Sequence, residues 1–63
     1  DASEPIEVGT RCEAITRMMP TGTVRIGGKN WEAHSREGMI DRGELLEVVA
    51  IEPHQLIVQR PRS

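Results

Sequence analysis

The sequence predicts an all-β domain, a small five-stranded barrel. Three observations lead there. Apolar and polar residues alternate in short runs, the two-residue period of a half-buried strand. Turn-rich clusters separate the runs: "MPTG" (19–22), "GGKN" (27–30), "REG" (36–38), "DRG" (41–43) and "EPHQ" (52–55). The chain has only 63 residues, too few to cover an open sheet. Left open, such a sheet would expose an apolar face and two bare edges, and curling it into a barrel removes both.

The first strand is expected near 9–18, with Cys12, Ala14, Thr16 and Met18 on one face. The second, near 22–28, places Gly22, Val24, Ile26 and Gly28 together. The third, near 30–36, sets Trp31, Ala33 and Ser35 against Asn30, Glu32, His34 and Arg36. The fourth, near 44–52, aligns Leu46, Val48 and Ala50, and the fifth, near 55–60, aligns Leu56 and Val58. "GELLEVVAIE" is the best helix candidate. It is rich in β-branched residues and Pro53 follows directly, so a strand is the better reading. The economical closure of five such strands is the Greek-key barrel of the OB-fold. Many such barrels carry a helix between the third and fourth strands. "REGMIDRG" is too short for more than a turn, so that helix is expected to be missing.

Residues 1–7, "DASEPIE", read as a linker or frayed terminus, residues 8–60 as the barrel, and 61–63 as a short tail. The chain opens on Asp rather than Met, which suggests a piece of something longer. No apolar run approaches the ~20 residues of a membrane helix. With no Phe or Tyr and a single Trp, the core falls to aliphatic residues and Met. The candidates are Ile15, Met18, Val24, Ile26, Met39, Ile40, Leu45, Leu46, Val48, Val49, Ile51, Leu56, Ile57 and Val58.

Chemistry is hard to find. The formal charge is −2 with both signs mixed, which argues against a strongly basic nucleic-acid surface. Gly27-Gly28 suits a tight hairpin; a phosphate loop would lead into a helix, and none follows. Trp31 could stack on a base, but one aromatic beside Glu32 is a poor platform. Packing at the barrel end, near Met18 or Met39, is the favoured role. Cys12, His34 and His54 match no compact zinc spacing. Ser35 and Cys12 have no base in view. No catalytic residue, metal or cofactor is expected. A partly apolar outer face around Ile15, Val49 and Ile51 is the candidate interaction surface. The same residues could equally lie beneath Ile6 or Val8 of the terminal segment.

One ordered set of residues resembles a known family. Gly9, then Ala14 and Thr16 form an "A-x-T" strand. Pro20, Gly22, Val24, Ile26 and Gly28 spell "P-x-G-x-V-x-I-x-G". Trp31, Ala33 and Ser35 give "W-x-A-x-S", and Gly38, Ile40 and Gly43 a connector. Leu46 with Val48, and Leu56 with Val58, close the series. Running from about residue 8 to 59, the set is similar to the soluble C-terminal domain of the NfeD family. Cys12 stands where the family often has a second Gly, and "EPHQ" lacks the Gly common before the last strand. The resemblance implies an OB barrel without catalytic residues. It implies a membrane tether through helices that precede such a domain, with the domain expected on the cytoplasmic side. It further implies protein partners of the stomatin or flotillin kind, and a link to regulation of membrane protease activity or to membrane organisation. Longer members also carry a protease domain. The expected function is therefore a non-enzymatic protein-interaction module, with a nucleic-acid-binding OB domain as the alternative. The oligomeric state is left open.

Overall fold

The structure is a computed structural model that describes residues 6–61. Most of the expected N-terminal linker, and the last two residues of the expected tail, lie outside the described residues. Five strands form, β1 (Arg11–Ala14), β2 (Thr21–Ile26), β3 (Lys29–Ser35), β4 (Leu45–Ile51) and β5 (Leu56–Gln59). They close in the order β1-β2-β3-β5-β4. All neighbours are antiparallel except β3 and β5, which run parallel. This is the closure expected of the OB-fold, and no helix occurs among the described residues. The 36–44 connector between β3 and β4 is turns and a single bridge.

The expected strands are right in number and order; β1, β2, β4 and β5 are shorter than expected, and β3 keeps its length one residue earlier. β1 ends at Ala14 because the chain bends at Ile15 and Thr16. Pairing then resumes in an isolated bridge, where Met18 and Ile40 exchange backbone hydrogen bonds of 2.9 Å each way. Both side chains are fully buried. Together they plug one end of the barrel in place of the missing helix.

Gly27 and Gly28 have φ of 57° and 84°. Two successive positive φ angles are what a two-residue type I′ hairpin requires, and they join β2 to β3 in register from Ile26–Lys29 to Thr21–His34. Gly22 has a different duty. A Cβ there would lie 2.7 Å from Met18 Cγ and 3.0 Å from the Arg17 carbonyl oxygen. The absence of a side chain is what lets β2 pass against the chain leading into the bridge.

The core is small and aliphatic: Cys12, Ala14, Met18, Val24, Ala33, Ile40, Leu46, Val48, Leu56 and Val58. Several residues expected inside are not. Met39, Leu45 and Ile51 are exposed, and Ile15, Val49 and Ile57 are only partly buried. In β4, Leu45 alternates outward beside buried Leu46, and a bulge changes which later residues face the core. Val48 pairs with Val58, but Ala50, not Val49, pairs with Ile57, and Ile51 pairs with Leu56. The extra residue, Val49, breaks the alternation, so Ala50 leaves the core row where strict period-two reading had placed it.

Candidate interaction surface

The strand directions sort the surface into two ends. β1, β3 and β5 begin, and β2 and β4 finish, at one end; the Met18–Ile40 plug occupies the other. At the plugged end Arg60 is tied down. Arg60 holds Glu44 through Nε···Oε1 at 2.8 Å and Nη2···Oε2 at 3.2 Å, and reaches Glu37 Oε1 from Nη1 at 3.3 Å. The Arg60 backbone N–H also donates to Glu37 Oε1 at 3.0 Å. The Arg60 guanidinium, and then the Asp41 backbone N–H, hold the Glu44 carboxyl below the usual glutamate range. Ser35 is buried there as well. Its Oγ accepts from the Glu37 backbone N–H at 3.0 Å, and its own N–H donates to the Pro20 carbonyl at 2.7 Å. Its hydroxyl is a structural pin.

Met19, Met39 and Leu45 are exposed at the plugged end, and the open end carries apolar residues too. It gathers Ile6 and Val8 before β1, Ile26 at the end of β2, Trp31 near the start of β3 and Ile51 at the end of β4. Ile6 and Ile26 are partly buried and pack on the core. Val8, Trp31 and Ile51 are 64%, 38% and 49% exposed. Trp31 is the residue for which the sequence reading needs correction. It shares a ladder position with Val24, on the face that turns inward, yet it remains exposed. The reason is the length of β5, which pairs with β3 only over Ala33–Ser35. The half of β3 that carries Trp31 projects past the closed wall. Met18, one expected neighbour, is buried at the opposite end, and Met39 is exposed there beside the plug.

The candidate trio of Ile15, Val49 and Ile51 does not gather at one place. Ile15 follows β1 toward the plugged end, where its N–H donates to the Thr23 carbonyl at 3.0 Å. Val49 sits at the bulge, and Ile51 joins the open-end rim. Val8 and Trp31, absent from the sequence-based site, complete that rim. The signal that could have found Trp31 is its closeness to the hairpin turn, where a strand can outrun its next neighbour.

Burial pushes the Cys12 thiol up to about 11, so it is a neutral core side chain at ordinary pH. Among the described residues no cluster of three His, Cys, Asp or Glu could hold a metal. Depressions on the barrel wall measure about 250 Å³ beside Thr21, Thr23, Glu32 and Gln55 and about 410 Å³ beside Glu13, Arg25 and Arg42. Among the described residues no helix is long and apolar enough to cross a membrane.

A family model described as the NfeD-like C-terminal, partner-binding domain matches residues 3–60. Among solved structures, the C-terminal domain of stomatin operon partner protein 1510-C from Pyrococcus horikoshii is similar, with 32% sequence identity, a TM-score of 0.83 and 89% of each chain covered. No curated protein matches the chain.

Proposed function

The chain belongs to the NfeD-like family of C-terminal, partner-binding domains, and on that premise we propose that it is a non-enzymatic docking module whose protein partner seats on the open barrel end. The observation that carries this reading is the rim itself: Val8, Trp31 and Ile51, large apolar side chains left exposed around one end of an otherwise closed barrel. Tryptophan is enriched among the few residues that dominate binding energy at protein interfaces, and Ile51 and Val8 supply apolar area beside it. Of the sequence-derived candidates, Ile51 belongs to this surface, Val49 borders it, and Ile15 lies away from it.

The partner is a stomatin- or flotillin-like membrane protein. This rests on the family resemblance and on the similarity to a stomatin operon partner protein. The module is held at the cell membrane, on its cytoplasmic side, by helices outside this sequence. Docking there serves regulation of a membrane protease or of membrane organisation.

Trp31 is the chain's sole aromatic residue, so its emission reports directly on the rim. The test titrates the chain with a purified stomatin-like membrane protein in detergent micelles, and separately with single-stranded DNA and RNA at low salt. A saturable emission change with the protein is expected, weakened tenfold or more by Ile51→Glu. Absence of protein binding overturns the reading. Micromolar or tighter oligonucleotide binding, lost in the Arg25→Ala and Lys29→Ala variants, would assign the chain to nucleic-acid recognition instead.

A further inference from the structure

We propose that the partner is held as an added β-strand, an extended segment that pairs with the open edge of β3 ahead of Ala33. The inference rests on the proposed function and specifies its mode. It begins with the register. β2 and β3 pair from Ile26–Lys29 to Thr21–His34 across a two-residue turn, and the Ser35 N–H donates to the Pro20 carbonyl. The amides of Lys29, Trp31, Ala33 and Ser35 therefore face β2, and those of Asn30, Glu32 and His34 face the other way. The Arg36 N–H, next in that series, donates to the Val58 carbonyl of β5 at 2.9 Å. The ladder between β5 and β3 begins at the Ala33–Leu56 pair, which uses the Glu32 carbonyl as acceptor and leaves the Glu32 amide outside it. Among the described residues the Asn30 and Glu32 N–H groups have no hydrogen-bond partner.

The turn between β4 and β5 could have covered this edge, but it is closed on itself. The Glu52 N–H donates to the Gln55 carbonyl at 2.9 Å, and Gln55 Nε2 donates to Glu52 Oε1 at 3.0 Å. That leaves two outward amides two residues apart, about 6–7 Å along the strand. Such a row of donors matches the backbone of an extended chain and does not match a helix, whose carbonyls are spent internally. The side chains around the edge set the second requirement. Trp31 lies on the inward-turning face, and Ile51, paired with Leu56, shares that face across the gap. Asn30 and Glu32 lie on the other. The occupant is thus a segment of alternating character, with aliphatic residues toward Trp31 and Ile51 and polar residues toward Asn30 and Glu32.

The test uses a proline on the edge. Asn30→Pro removes one outward N–H and no bond of the barrel ladder, and proline is tolerated on edge strands for that reason. Asn30→Ala removes only the side chain. With the stomatin-like protein in micelles as probe, Asn30→Pro is expected to weaken binding at least tenfold with the cooperative thermal transition retained. Asn30→Ala is expected to bind within about threefold of the parent chain. Amide exchange supplies a second reading that does not depend on the variant folding. The Asn30 and Glu32 amides should exchange freely in the parent chain and slow at least tenfold in the complex. Undiminished binding by a folded Asn30→Pro chain, or a complex in which both amides still exchange freely, overturns the added strand while leaving the docking module standing. Protection of both amides in the free chain that fades on dilution would mean a second copy occupies the edge, and also overturns it. Absence of any binding removes the docking reading and this inference together.

Discussion

Replacing Gly22 with alanine is the sharpest probe of how the barrel is closed. The added Cβ would sit 2.7 Å from Met18 Cγ, 2.9 Å from Thr16 Oγ1 and 3.0 Å from the Arg17 carbonyl oxygen. Carbon atoms at rest stand about 3.5–4.0 Å apart. None of the three neighbours yields cheaply. Met18 is fully buried in the plug, the Arg17 oxygen is backbone, and Thr16 Oγ1 accepts the Thr23 N–H at 3.0 Å. Overpacking of this kind costs roughly 1–3 kcal/mol. Loss of the Thr16 bond adds about 1 kcal/mol. The reduced freedom of the unfolded chain returns about 0.4–1 kcal/mol. The net is a loss of roughly 1–3.5 kcal/mol. At roughly 0.05–0.15 kcal/mol per residue, a chain of this length holds only about 3–9 kcal/mol in all. Urea unfolding followed by Trp31 emission should show the midpoint falling by about 0.5–3.5 M for a slope near 1–2 kcal/mol/M. In a Met18→Ala background the same change should cost at least about 1 kcal/mol less, because the nearest clash is gone. An unchanged midpoint for Gly22→Ala, or equal cost in both backgrounds, would refute the close-approach account.

Three further outcomes follow from the same geometry. Trp31→Ala should cost about 1–2 kcal/mol, less than the ~3–5 kcal/mol of a fully buried aromatic, because the ring is 38% exposed; thermal unfolding by far-UV circular dichroism measures it. The Cys12 thiol should resist a thiol reagent until the chain unfolds. Its pKa rises from 9.0 to about 11, so the unfolded chain ionises first, and stability should fall as pH rises between those values and show no such fall in Cys12→Ala. Glu44 is held below its usual range by Arg60, so its contribution is present above the ordinary glutamate pKa and lost as pH falls through the lowered one. Arg60→Ala should return the Glu44 titration, followed by carboxyl NMR, upward toward the ordinary value.

Much of the scaffold is legible in the sequence because its determinants are local. The Gly27-Gly28 turn announces a hairpin, and the alternation of Cys12 with Ala14, Ala33 with Ser35, and Leu56 with Val58 marks inward faces. What escapes is whatever depends on pairing between distant segments. "VVAI" at 48–51 is apolar throughout, so nothing in it marks Val49 as the extra residue, and a slip of one residue moves Ala50 to the other side. The exposure of Trp31 is fixed by where β5 starts, twenty-five residues later in the chain. The rim is assembled from residues near 8, 26, 31 and 51, which no window along the sequence brings together.

The motif that carries the family resemblance separates scaffold from surface. Val24, Ala33, Ser35, Ile40, Leu46, Val48, Leu56 and Val58 are all buried, Ile26 packs on the core from its margin, and Gly22 and Gly28 serve close approach and hairpin turn. Each of these has a structural duty sufficient to explain it. Trp31 does not. It is the one large apolar residue of the motif that the fold leaves open to solvent, on the half of β3 whose outward amides have no partner among the described residues. A small barrel with few apolar residues would bury more by turning that ring inward under a longer β5. Its placement at the projecting tip gives up that stabilisation, and a partner that covers both the ring and the edge would recover it on binding.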